Sequence, residues 1–155
     1  MNANEVLITQ FYTAFSQQNA NGMIACYHPE IEFEDPAFGK LKGDDVRAMW
    51  KMLLANNKTG IDIRFYNVKS DDTTGCANWV ATYIFTKTKR KVINRIAAKF
   101  EFKEGLIIKH KDNFDLWSWS KQALEWKGYL LGWTAFLKKS INKQALASLN
   151  RYQNK

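Results

Sequence analysis

From about Ile61 onward the hydrophobic period of this chain changes from mainly helical to two over four successive segments, and that change constrains the fold more than any other feature. Before it, Val6, Leu7, Phe11, Ala14 and Phe15 recur at helical spacing. Gly22, Met23, Ile24 and Tyr27 suggest a second short helix before the His28-Pro29 break. Val46, Met49, Trp50, Leu53 and Leu54 fall on one face of a third, entered through Gly43 and Asp44 with the aspartate as cap and ending near Asn56 or Asn57. Between the second and third helices, Ile31 and Phe33 alternate with Glu30, Glu32 and Glu34 in a short strand that Pro36 must end or confine to an edge. After the switch the period is two in IDIRFYNVKS, CANWVATYIFTKT, VINRIAAKFEF and LIIKHKDNFD. Four successive strands with short links predict an antiparallel, strongly curved sheet. The opening helices would cover its apolar face, an α+β architecture.

The chain has 155 residues, enough for one domain that buries roughly 68% of its unfolded surface without disulfide or metal staples. We expect a single domain over 1–155, with a core over about 4–120 and a helical extension over about 116–150. Only two prolines and eight glycines exclude collagenous or disordered classes. Cys26 and Cys76 are too few for a disulfide scaffold or an all-thiolate zinc site and read as reduced core thiols. The N-terminus lacks a basic leader followed by a long apolar run, so a soluble, cytoplasmic protein is expected.

Side-chain alternation puts Leu106, Ile108, His110, Asp112 and Phe114 on one face of the last strand, with Ile107, Lys109 and Lys111 on the other. An imidazole two positions from a carboxylate among apolar neighbours suits proton transfer at neutral pH; a satisfied core hydrogen bond or a solvent-facing strand end gives the same pattern. Asp35, at a strand end beside Pro36, can be held at a fixed angle and partly desolvated, which raises a carboxyl pKa toward that of a useful base; a plain turn aspartate is its alternative. Alternation sends Glu30, Glu32 and Glu34 to one face, and Pro29 separates His28 from them, so neither a metal nor another cofactor is expected.

Tyr27, the IEFEDPAFG segment with its DP-x-x-G core, the Gly43 turn, the helix bearing Val46 and Trp50, and HKDNFD running into Trp119 and Gln122 closely resemble the nuclear transport factor 2-like superfamily. The functional branches it resembles most are the SnoaL-like polyketide cyclases and the ketosteroid isomerases, over roughly residues 4–120. The resemblance implies a cone-shaped barrel of curved, mostly antiparallel sheet with cystatin-like topology. Its central pocket would hold an apolar small molecule, and the chain would form a homodimer. It also implies catalytic roles for Asp35, as in the isomerases, and for Asp112 with His110, as in the cyclases. The isomerase oxyanion tyrosine falls on Phe11, with Tyr12 one residue away, and the second oxyanion donor falls on Ala98; both departures oppose steroid isomerisation. The Asp-Arg-Asp arrangement of the epoxide-hydrolase branch could be mimicked by Asp35, Arg95 and Asp112. Candidate ligand-binding residues are Tyr12, Phe15, Tyr27, Phe33, Phe38, Trp50, Trp79 and Phe114, all of which could equally be plain core.

The formal charge of +8 is uneven: residues 116–155 carry seven basic side chains and one acidic, against 16 and 14 in residues 1–115. The basic segment also holds four of the six tryptophans, and Ala123, Trp126, Leu130, Trp133, Leu137 and Ile141 form an amphipathic helical stripe that Gly128 and Gly132 weaken. We expect it to pack over the pocket mouth or a dimer, with Lys121, Lys127, Lys138, Lys139 and Lys143 solvated. An anionic-membrane contact is the sharper alternative, and no nucleic-acid partner is expected. The expected function is small-molecule binding of the SnoaL-like type, with cofactor-free isomerase or cyclase chemistry on an apolar carbonyl compound. The alternatives are a noncatalytic ligand-binding or protein-interaction module and an epoxide-hydrolase-like hydrolase.

Overall fold

Asn2 starts the first helix, its side chain accepting from Glu5 N at 2.8 Å, and α1 runs over Ala3–Ser16. The computed structural model describes residues 1–57, 60–124 and 135–155. After α1 come α2 (Ala20–Ile24), β1 (Tyr27–Asp35), β2 (Gly39–Lys42), α3 (Asp44–Asn56), β3 (Asp62–Ser70), β4 (Thr74–Phe85), β5 (Arg90–Lys103), β6 (Leu106–Asn113), α4 (Leu116–Ala123) and α5 (Ala135–Gln153). Three local expectations need correction. Tyr27 opens β1 instead of closing α2, and Pro29 is tolerated inside β1 because the pairing with β6 is irregular between Tyr27 and Glu32. Gly43, not Asp44, caps α3: its φ of 55° lies in the region that glycine enters without strain, and Asp44 and Asp45 face the helix dipole from the first turn.

The strands form one mixed sheet in the order β2-β1-β6-β5-β4-β3. The meander from β3 to β6 is antiparallel throughout, while β1 adds to β6 in parallel and carries β2 as a hairpin. This order overturns the cone-shaped barrel of cystatin-like topology and its strong curvature: β2 and β3 are the two edges and do not pair with each other, so the sheet is open. Alternation along each strand marks which of its faces is buried, but closure depends on whether the outermost edges meet, which no local pattern encodes.

One face of the sheet is charged. Glu32 pairs with Lys42 at 3.4 Å and Lys109 with Glu101 at 3.8 Å, and Arg95 is exposed there too. The other face packs under α1 and α3 through aromatic rings, including Phe15 on Trp79 (5.2 Å between centroids), Phe11 on His110 (5.4 Å) and Trp50 on Phe33 (5.5 Å). The predicted parity of β6 breaks at its start. Ile107 is fully buried, because the β5–β6 register shifts between Glu101 and Phe102 and leaves Ile108 as an extra residue. Beyond that bulge His110 and Asp112 face the core as predicted. Of the two cysteines, both free, Cys26 is buried but Cys76 is exposed, correcting the expectation of two core thiols.

α4 lies beside the end of β5 that β6 does not cover. There the Gln122 side chain accepts from Ile93 N (2.8 Å) and donates to Ile93 O (3.0 Å), acting as a short substitute strand. α5 seats on α3 and on the turn after β1. It buries Leu149, Asn142 Nδ2 donates to Ala37 O at 2.8 Å, and Gln153 Nε2 donates to Asp45 Oδ1 at 2.6 Å. Trp126, Lys127, Gly128, Leu130, Gly132 and Trp133 of the predicted stripe lie outside the described residues. Among the described residues no helix is long and apolar enough to cross a membrane.

Candidate active site

A cavity of about 320 Å³ opens between the helix-covered face of the sheet, α3 and α5. Of the sequence-predicted site residues, Phe15, Phe33, Asp35, Phe38, Trp50, Trp79, Asp112 and Phe114 line it; Tyr12, Tyr27 and His110 do not. The last three lie behind the wall, fully buried or nearly so. α5 contributes Ile141, Gln144, Ala145 and Ser148 to the lining, so this part of the C-terminal segment packs over the cavity. Gln144 and Ser148 were missed, although they continue the apolar stripe from Ile141 at steps of three and four.

Asp112 is 3% exposed and is held from behind by a chain of side chains drawn from four elements. Trp50 Nε1 donates to Tyr27 Oη (2.9 Å), Tyr27 Oη lies 2.7 Å from His110 Nδ1, and His110 Nε2 lies 2.9 Å from Asp112 Oδ1. Trp79 Nε1 reaches the same oxygen at 3.3 Å. An indole only donates, so Tyr27 Oη accepts from Trp50, and the two ring nitrogens of His110 join Tyr27 to Asp112 in one hydrogen-bonded chain. The Tyr27 phenol is pushed well above its usual range by burial and by the Asp112 charge, with the Trp50 hydrogen bond opposing. Asp112 Oδ2 takes no hydrogen bond from the described residues and is left for the cavity. Sequence reasoning placed Tyr27 and Trp50 on the pocket wall and missed their hydrogen bonds to each other and to His110, because the parallel β1–β6 pairing that brings Tyr27 to His110 has no local signature.

Asp35 is held differently. It closes β1 opposite Gly39, and its Oδ1 accepts from Ala37 N (2.9 Å) and Phe38 N (2.6 Å), a local turn that fixes the carboxyl at the cavity wall. Burial pushes its pKa up to about 7; the Phe38 N–H opposes, the Asp112 charge raises it further, and the Ala37 N–H opposes again. A carboxyl that titrates near neutrality can give or take a proton at working pH.

Tyr12 stacks on Phe65 at 5.4 Å and is fully buried, and its hydroxyl has no hydrogen-bond partner. Burial, then Asp112, then Tyr27 raise its pKa well above 10.0. At the two family donor positions, Phe11 is fully buried and packs its ring on Tyr27 and His110, while Ala98 pairs with Asp112 across β5 and β6; neither supplies a donor. Arg95 points to the face opposite Asn94 and Ile96, which line the cavity, so it does not stand between Asp35 and Asp112. Glu34 lies 4.0 Å from Lys111 on the charged face, and His28 pairs with Glu104 at 3.1 Å, so neither joins the site.

Several solved structures share the fold. TerC, co-crystallised with polyporic acid, superposes with a TM-score of 0.63 at 13% identity, covering 74% of this chain and 92% of its own. A nuclear transport factor 2-like protein from Burkholderia thailandensis gives a TM-score of 0.64 at 17% identity, with 74% and 92% covered. An LEH-like epoxide hydrolase of M. tuberculosis gives 0.62 at 18% identity, with 87% and 95% covered. No curated protein matches the sequence. The SnoaL-like domain, by contrast, matches residues 8–110, from the first buried turn of α1 to the histidine of the relay, and the chain belongs to that family within the nuclear transport factor 2-like superfamily.

Proposed function

We propose that the protein binds an apolar carbonyl compound in this cavity and isomerises or cyclises it by acid/base chemistry of its own carboxyl groups. The observation that carries the reading is the placement of Asp35 and Asp112 on one apolar cavity, one set to titrate near neutrality and the other aligned by His110. In the proposed step Asp112 Oδ2 takes a proton from the carbon next to the carbonyl. The C–H electron pair becomes the enol double bond, and protonated Asp35 delivers its proton to the carbonyl oxygen. Return of the protons, to another carbon for isomerisation, regenerates both carboxyls. His110 is a positioning residue here, its ring held between Tyr27 Oη and Asp112 Oδ1.

The absence of a donor at Phe11 and Ala98 favours a second reading, ligand binding without turnover, since one oxyanion donor is worth about 3 kcal/mol of transition-state stabilisation. Isotope exchange separates the two. Apolar ketones that raise the thermal midpoint should exchange their α-hydrogens in heavy water with the protein present, and Asp35→Asn and Asp112→Asn should each remove that exchange. Bound ketones that exchange no faster than in buffer would leave a binding module; exchange unchanged in both variants would refute the site assignment.

A further inference from the structure

The cavity wall beside the two carboxylates is largely aromatic, and the one cationic side chain among the described residues of the lining, Lys87, is solvent-exposed and makes no ion pair with either of them. Phe33 packs on Trp50, Trp50 on Phe15 (5.1 Å) and Phe15 on Trp79, a continuous run of rings that ends where the Trp79 indole bonds Asp112. Neither Asp35 nor Asp112 has a lysine or arginine partner among the described residues; the one ionisable side chain that hydrogen-bonds Asp112 is His110, 2.9 Å away. Both indole N–H groups in the run are already engaged, on Tyr27 and on Asp112, so these tryptophans offer a ligand their π surface and no donor.

We infer that the ligand carries an organic ammonium group, tertiary or quaternary, on an otherwise apolar body. An anionic ligand would meet two carboxylates and no free indole donor, and a neutral one would leave the buried negative charge without a counter-ion. An alkylammonium supplies that charge, is weakly hydrated, and is attracted to the negative faces of indole and phenyl rings. The other ionisable groups around the site do not change the sign. Tyr12 and Tyr27 are buried phenols with raised pKa values, and Lys87 is a solvent-exposed member of the lining in the β4–β5 connection. The inference rests on the reading of this cavity as the ligand site.

The test compares para-tert-butylbenzyl alcohol with its isostere in which trimethylammonium replaces the tert-butyl group, by calorimetry on the full chain. At about pH 8 the ammonium compound should bind at least about tenfold more tightly than the neutral one. Its affinity should fall several-fold by about pH 5.5, as Asp35 takes up its proton, while the neutral compound stays unchanged. Asp35→Asn, which keeps an oxygen for the Ala37 and Phe38 amides, should remove the pH dependence. If the neutral compound binds as well as or better than the ammonium, the inference fails while the cavity reading stands. If neither binds, or binding is unaffected by filling the cavity with Ala81→Phe, both fail.

Discussion

The two carboxylates face one cavity but are built by opposite means. Asp35 is fixed by its own neighbours: its two hydrogen bonds come from amides two and three residues on, and the price of burying it shows as a pKa of about 7. Asp112 is fixed mostly by distant parts of the chain: Trp50 of α3, Tyr27 of β1 and His110 of its own strand form one hydrogen-bonded chain to it, and Trp79 of β4 donates to the same oxygen separately. A local turn positions a group without neutralising its desolvation, whereas a buried network satisfies each member only while all of them are present. The Asp112 side should therefore be brittle and the Asp35 side tolerant.

Four substitutions probe that contrast. His110→Ala should be the most damaging, costing about 3–5 kcal/mol in urea unfolding, because it opens a core cavity, takes the His110 partner from Tyr27 Oη and leaves Asp112 Oδ1 only the 3.3 Å bond from Trp79. A cost below about 1 kcal/mol would mean that the network holds nothing together. Tyr27→Phe keeps the ring packing but strands the Trp50 N–H and His110 Nδ1, and should cost about 2–3 kcal/mol by the same measurement.

Asp35→Asn should go the other way. The folded protein retains the Asp35 proton up to about pH 7, while the unfolded chain releases it near 3.8, so the folded state binds more protons within that window. Stability therefore falls as pH rises from about 4 to about 7 and is flat above, and the asparagine variant, free of this slope, should be about 1–2 kcal/mol more stable at about pH 8. Thermal melts across that range read both the sign and the window. Tyr12→Phe, which deletes a buried hydroxyl with no partner, should have the smallest effect, a gain of up to about 1 kcal/mol. A loss of similar size would show that the hydroxyl is paired in solution.

The same contrast explains what could be read before the structure. Asp35 was legible as a carboxyl held at a fixed angle, because the amides that fix it lie within three residues of it. Strands β3 to β6 were legible from alternation, and the inward placement of His110 and Asp112 survived the bulge at Ile108 because it lies upstream of both. Tyr27 was legible only as an aromatic pocket residue: its partner sits 83 positions away, across a parallel pairing that a single sequence does not display. The open sheet was not legible either, since its two free edges are a relation between β2 and β3 and not a property of either strand.

Asp35 and Asp112 share one cavity closely enough to feel each other's charge. Carbon-13 carboxyl shifts of both aspartates, followed through a pH titration of the wild type and of Asp112→Asn, read that coupling. Asp35 should titrate near 7 in the wild type and at lower pH once the Asp112 charge is gone. An Asp35 that titrates near 3.8, or whose midpoint is indifferent to Asp112, would contradict it.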